Sequence, residues 1–458
     1  MDQAGFVPGF STEDHLFTVT LLQEKFQEWR HELWIATIDF KKAFDTISHA
    51  SMWEALREQG VPAGYVHLLS KIYFEQTGTI KLDCASKHFR IERGVRQGDP
   101  LSPTLFNALL ETVFRVLKRR WTSMGVGIRM GPRDEDVLSN LRFADDVLLT
   151  ATSLQQLSAM LQDLRIEAGR HGLELHPGKT KIITNKLCRK GAEAAQYVDI
   201  NGLRVDILAS GASTKYLGRM LCSTRPHHVE VDNRIRQAWN KFFANKHVLC
   251  DRRVALRQRL QLFDAVITPT ILYGAGSWVL TEELKSRIRK TQRRMLRSIF
   301  QRPRRRNPGE NESRDGSTSG SSREQLLAPE VDDEDLEPWV DWIRRVTHEI
   351  EDSLSRYNIE PWEATARRRL YSWAGHVCRR ADGRWSTKVL HWTPEQGARQ
   401  GGKGPGRRQS RPCTRWTDAF DEFFARELQM QPGDWRLLAV NKVEWDQHMA
   451  DFVANCSR

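Results

Sequence analysis

Two strand-length runs, Asn140-Leu141-Arg142-Phe143-Ala144 and Val147-Leu148-Leu149-Thr150-Ala151, stand on either side of Asp145-Asp146. Their apolar and β-branched content reads as a hairpin, and a tight turn between them leaves both carboxylates at one end of a sheet. A third run, Leu33-Trp34-Ile35-Ala36-Thr37-Ile38, reads as a buried strand that delivers Asp39. A sheet built from these strands can bring Asp39 to the same end as the pair, and three carboxylates gathered there suit divalent metal chemistry. Asp also favours turns for its own local hydrogen bonding, so the pair acquires meaning only from its surroundings.

Those surroundings include a Gly-rich, basic loop, Arg93 to Asn107, that runs into a helix start with Ser102 as N-cap and Pro103 in the first helical position. Leu105, Phe106, Leu109, Leu110, Val113, Phe114 and Leu117 follow at helical spacing, which holds the loop against a packed core. A loop held this way can approach a nucleotide closely through its glycines. Elsewhere Ser51-Met52-Trp53-Glu54 and Ser153-Leu154-Gln155-Gln156 read as helix openings, with a further helix over Tyr65 to Gln76. Thr79 to Leu82 and His88 to Ile91 read as one hairpin, and Asn201-Gly202 is the strongest hairpin turn in the chain. The expected fold is α+β, with helices packed on one face of an antiparallel sheet.

The chain of 458 residues has room for two or three cores, and its net charge of +12 favours a polyanionic partner. Seven cysteines without paired spacing or a secretory segment read as reduced thiols of an intracellular protein. The longest apolar stretch, Val266 to Leu280, is broken by Pro269 and Gly274, so no membrane span is expected. Beyond Val229 the pattern turns helical and basic, and Lys285 to Arg297 puts many cations on one helix, suited either to a phosphate backbone or to a solvated face. Residues 302–337 lose periodicity and read as a disordered linker; Arg304-Arg305-Arg306 within it suits a nuclear signal or simply a charged tether. A Trp-rich, mostly helical region follows, whose rings could stack on single-stranded nucleic acid or form a small core. His376, Cys378, His391 and Cys413 lack the paired spacing of a zinc site, so none is expected.

Five motifs in order resemble the reverse transcriptase of LINE-type, non-LTR retrotransposons: Asp39-Phe40-Lys41-Lys42-Ala43-Phe44-Asp45, Arg96 to Pro103, Phe143 to Asp146, Gly172 to Lys181, and Tyr216-Leu217-Gly218. The resemblance implies a right-hand polymerase palm with partial fingers over 1–228, a helical thumb over 229–301, the linker, and a C-terminal region over 338–458. It implies an RNA-directed DNA polymerase acting on an RNA template, a DNA primer and deoxynucleoside triphosphates. Two magnesium ions about 3.5–4 Å apart, or manganese in their place, would be held by Asp39, Asp145 and Asp146. Lys179 would screen or protonate the pyrophosphate. Phe40, Phe44, Arg96, Gln97 and Gly98 would contact nucleotide or template, Phe44 at the position that blocks a ribose 2′-hydroxyl, while Tyr216, Leu217 and Gly218 would form a primer grip. Gln3 to Thr12 resembles a finger segment that in the family follows further finger strands and often an endonuclease domain, so the implied enzyme is truncated at its amino terminus. Phe10 stands there in place of a basic residue. Two functions remain open: a polymerase, or a non-catalytic relic that binds nucleic acid.

Overall fold

Every residue of Trp34–Ile38 (β1) is buried, so the strand needs neighbours on both edges and cover on both faces. The computed structural model describes residues 2–81, 86–186, 196–305, 336–394 and 414–454, and it places β1 inside a six-stranded sheet. With Asn140–Phe143 (β2), Asp146–Ala151 (β3), Lys181–Thr184 (β4), Tyr197–Ile200 (β5) and Leu203–Ile207 (β6), the order is β2-β3-β1-β4-β6-β5. Neighbours are antiparallel except β4 and β6, because the Asn201-Gly202 hairpin delivers its second strand to the β4 edge. Asn201 and Gly202 both take positive φ, +50° and +84°, as a type I′ turn requires.

One face of the sheet packs on three helices, His49–Glu58, Ser102–Ser123 and Leu154–Arg170, where Phe106, Leu109, Val113, Leu157 and Leu161 meet Trp34, Ala36, Ile38, Val147 and Leu149. The other face is not open to water, contrary to the one-sided expectation: Ile35, Thr37 and Leu148 are equally buried. A separate hairpin, Ser213–Tyr216 (β7) and Arg219–Cys222 (β8), closes over it, with Thr37 Oγ1 and Thr214 Oγ1 3.2 Å apart.

Two helix starts differ from the sequence reading. Ser48, not Ser51, caps His49–Glu58, its hydroxyl accepting from the Ser51 N–H, so the expected cap is itself the donor. Ser102 is the first residue of its helix rather than the cap, a one-residue shift; Asp99 Oδ1 accepts the Leu101 N–H at 3.0 Å and turns the chain beforehand. Ser153 caps its helix as expected, accepting from Gln156 N–H at 3.2 Å.

The chain forms two compact units, one of residues 1–230, 274–279 and 369–452, the other of 231–273, 280–368 and 453–458. In the first, Thr12–Glu28 (α1) is buried along most of its length because the C-terminal residues return to it. Phe17 packs edge-on against Trp373 and Trp416, at 5.9 and 4.7 Å between ring centres. Lys25 Nζ donates to the Val389 carbonyl at 2.6 Å, at the end of Trp385–His391, and the Trp416 N–H donates to Glu24 at 2.7 Å. Trp385, Trp416, Trp435 and Trp445 are each 2 % exposed or less, so their rings are core and cannot stack on bases.

In the second unit the cation run lies on Glu282–Phe300 (α2), facing Trp339–Arg356 (α3). Arg293 pairs with Glu351 at 2.5 Å, Arg289 with Glu363 at 2.7 Å, Lys285 with Glu282 at 2.7 Å, and Arg287 with Asp232. Of the seven cations in Lys285–Arg297, four are thus paired with the protein's own acids, which leaves less of the run for either a phosphate backbone or a solvated face. Residues 306–335 of the linker, the Gly-rich stretch 397–411 and Cys413 lie outside the described residues. Among the described residues no helix is long and apolar enough to cross a membrane.

Candidate active site

Strand register and the loop before β4 assemble the site. In the antiparallel pairing of β1 with β3, Thr37 opposes Leu148 and Ile38 opposes Val147, so the next step sets Asp39 opposite Asp146. On the other edge Thr37 opposes Lys181, after which residues 177–180 loop out and Phe40 pairs with Leu175, so Lys179 stands on a loop beside Asp39. The β2–β3 turn consists of Ala144 and Asp145, with Phe143 paired to Asp146, so Asp146 is the first residue of β3 rather than part of the turn. Asp39, Asp145, Asp146 and Lys179 thus share one sheet end, with Lys179 Nζ 3.5 Å from Asp39 Oδ1. The His176 N–H donates to the Asp39 carbonyl at 2.8 Å and fixes the Lys179 loop beside it.

Electrostatics record the crowding. Asp146 is pushed up to about 6, first by lost hydration at the sheet end and then by repulsion from Asp145 and Asp39, with Lys215 opposing. Asp145 is also raised, by lost hydration foremost and by Asp39, while a backbone hydrogen bond and Lys179 pull the other way. Both side chains nonetheless reach solvent. Such a cluster of hard oxygen donors fits a divalent cation in kind, because a bound cation relieves the mutual repulsion with the carboxylates ionised. Among the described residues no three His, Cys, Asp or Glu side chains are already drawn together as a ligand set, here or around His376, Cys378 and His391.

The Gly-rich loop is seated on the Asp39 segment. The Val95 N–H donates to the Phe44 carbonyl at 2.7 Å and the Gly94 N–H to the Ile47 carbonyl at 2.9 Å. Gly94 has φ +84°, and a β-carbon on it would stand 2.8 Å from Phe44 O and Asp45 Cα. Gly94→Ala is expected to cost on the order of 2 kcal/mol by urea melting, from backbone strain and this collision. Arg96, Gln97 and Gly98 follow, all exposed, and no heavy atom lies within 4 Å of where a Gly98 β-carbon would be.

Phe44 is half-buried, one face stacked on Phe106 at 4.6 Å. Phe40 is corrected by the structure: at 5 % exposure its ring belongs to the core, and its backbone pairs with Leu175. Its side chain is unavailable to a nucleotide, because the residue after Asp39 points back into the sheet's packed face. Tyr216, Leu217 and Gly218 lie at the β7–β8 turn, where Leu217 and Gly218 take φ +45° and +77°. Tyr216 is buried, 3.3 Å from His15 Nδ1 through its hydroxyl, and burial together with the nearby Asp146 charge raises its phenol well above the usual value.

The sequence gives no sign that Lys215, Gln3 and Asn107 bear on this site. Lys215 lowers Asp146 electrostatically. Gln3 Oε1 accepts the Ala144 N–H at 3.0 Å across 141 residues of chain, and Gln3 Nε2 donates to Asn107 Oδ1 at 3.0 Å across 104. No local pattern encodes partners so far apart.

The family described as reverse transcriptase (RNA-dependent DNA polymerase) matches residues 1–221. A putative uncharacterized transposon-derived protein of Caenorhabditis elegans is 28% identical over 317 residues, 67% of this chain and 94% of that one. The Pol polyprotein of an R2 retrotransposable element of Nasonia vitripennis is 32% identical over 207 residues, 44% of this chain and 19% of that one. The R2 Pol polyprotein of Drosophila melanogaster is 32% identical over 178 residues, 39% of this chain and 16% of that one. The chain therefore spans less than a fifth of the length of these two R2 polyproteins.

Proposed function

We propose that this chain, which through residues 1–221 belongs to the reverse transcriptase family in its non-LTR retrotransposon branch, extends a DNA primer along an RNA template. The observation that supports this reading is the gathering of Asp39, Asp145 and Asp146 at one sheet end, close enough to repel one another, with Lys179 Nζ 3.5 Å from Asp39 Oδ1. Asp39 and Asp145, with Asp146 in support, would hold two magnesium ions; bound there, such ions sharpen a primer 3′-hydroxyl and neutralise the leaving pyrophosphate. Lys179, next to Asp39, offers a cation or a proton where pyrophosphate charge develops. Gly98 and the exposed Arg96 and Gln97 border the approach of a nucleoside triphosphate, and the open edge of Phe44 stands where a ribose would be sorted. The hairpin turn at Leu217-Gly218 lies on the Asp146 side, suited to steadying a primer end.

The test is magnesium-dependent primer extension with purified protein, an RNA template, a DNA primer and deoxynucleoside triphosphates, beside Asp145→Asn. Extension that vanishes in the variant is the expected result. No extension, with RNA binding that weakens steeply as salt rises, would mark a non-catalytic nucleic-acid-binding protein instead.

A further inference from the structure

The two-residue turn that carries Asp145 puts its first residue at positive φ, a position for which glycine is the ordinary occupant. Here it is Ala144, at +55°. A residue with a β-carbon resists that conformation, so something outside the hairpin must hold it. The Ala144 N–H donates to Gln3 Oε1 at 3.0 Å, and the same oxygen accepts the Gly5 N–H at 2.8 Å. Gln3 Nε2 donates to Asn107 Oδ1 at 3.0 Å, and Asn107 Nδ2 donates to the Gly5 carbonyl at 2.8 Å. The circuit orients both amides, since turning either one would set donor against donor. Gly5 completes the clamp: a β-carbon on it would lie 2.3 Å from the Ala144 nitrogen.

We infer that Gln3 and Asn107 are positioning residues that hold the Ala144-Asp145 turn in its strained form and so aim Asp145 and Asp146 at the metal ions, an inference that rests on the polymerase reading above. The plainer role, stitching the first residues to β2, is already filled by backbone. The Ala4 N–H donates to the Arg142 carbonyl at 2.8 Å, and the Arg142 N–H to the Asp2 carbonyl at 2.6 Å. The edge pairing needs no side chain from Gln3, whose amide instead reaches past it to the turn.

A rescue separates positioning from mere packing. Gln3→Ala removes the acceptor that holds Ala144, whereas Ala144→Gly removes the resistance to positive φ, so the second change is expected to repair the first. Manganese binding to the full chain, followed by electron paramagnetic resonance, is measured beside thermal melting and magnesium-dependent primer extension. Gln3→Ala is expected to weaken manganese binding and raise the magnesium needed for half-maximal extension, each by roughly tenfold, with the melting temperature little moved. Adding Ala144→Gly is expected to return most of that loss. Asn107→Ala, which leaves Gln3 free to rotate, is expected to shift both in the same direction and serves if Gln3→Ala does not fold. Unchanged manganese affinity in Gln3→Ala, or a loss that Ala144→Gly does not restore, would overturn the inference. A chain whose manganese binding depends on Gln3 but which never extends a primer defeats the polymerase reading and leaves the positioning role standing. A chain that extends equally well with and without Gln3 does the reverse.

Discussion

Asp145→Asn is expected to lower primer extension by roughly a thousandfold, the equivalent of about 4 kcal/mol of transition-state stabilisation, while leaving the protein folded. An amide is nearly the same shape as the carboxylate but carries no charge to hold a divalent cation. Asp146→Asn should lose activity too, and should make the protein more stable at neutral pH. The sign follows from the raised carboxyl. Folding moves Asp146 from 3.8 up to about 6, so the folded state prefers it protonated. Below the unfolded value both states hold the proton and the group imposes no penalty; as pH rises toward and through 6, the penalty of ionising it in the fold is fully in place. Because solvent reaches the side chain, screening reduces the gain in Asp146→Asn to on the order of 1 kcal/mol. Melts at pH 7.5 should show the gain and melts near pH 4 should not. A variant equal to wild type in stability at both pH values would mean that neither lost hydration nor its neighbours penalise the ionised Asp146 in the fold. Lost activity joined to gained stability is the pattern of a site strained for function.

What the sequence made legible is what short-range chemistry decides. The strands around Asp145-Asp146, the Asn201-Gly202 turn and the Ser153 cap each depend on residues within a few positions of one another, and each forms where periodicity and turn chemistry put it. Where two local signals compete, the reading slips: Ser48 and Ser51 both qualify as caps, and only the fold decides that one hydroxyl accepts from the other's backbone. Charges are legible as charges but not as pairs. The cations of α2 invite a phosphate partner until Glu351 of α3 and Glu363 are seen beside them. Burial of Phe40 was likewise illegible, because an aromatic residue beside the Asp39 carboxylate reads the same whether it faces ligand or core. The site itself divides along this line. Asp39, Asp145 and Lys179 sit at strand ends that local pattern locates, while Gln3, Asn107 and Lys215 reach it through packing alone.

The largest effect on stability is expected at a residue with no part in the chemistry, Arg384. Its guanidinium is 2 % exposed and donates to Asp14 Oδ1, 3 % exposed, at 3.0 Å. It also donates to the Gly9 carbonyl at 3.0 Å and to both oxygens of Asp382, and it lies 4.1 Å over the Phe10 ring. Asp14 in turn accepts from the Ser11 N–H at 3.0 Å at the start of α1 and from Ser386 Oγ at 2.9 Å. Arg384→Ala leaves Asp14 buried with neutral donors only, from Ser11 and Ser386, and without its guanidinium partner, which is expected to cost about 3–5 kcal/mol. Arg384→Met with Asp14→Asn removes both charges and should recover much of that loss, since an unpaired buried charge is worse than none. The pair joins α1 to residues 370 positions away, so its failure should loosen the C-terminal residues from α1 before the sheet melts. Hydrogen exchange is the discriminating measurement. In Arg384→Ala, amides of Trp385–His391 and of α1 should exchange faster, whereas those of β1 and β3 keep their protection until global unfolding. Uniform loss of protection across the sheet and α1 would show instead that the C-terminal residues and the palm fold as one cooperative body.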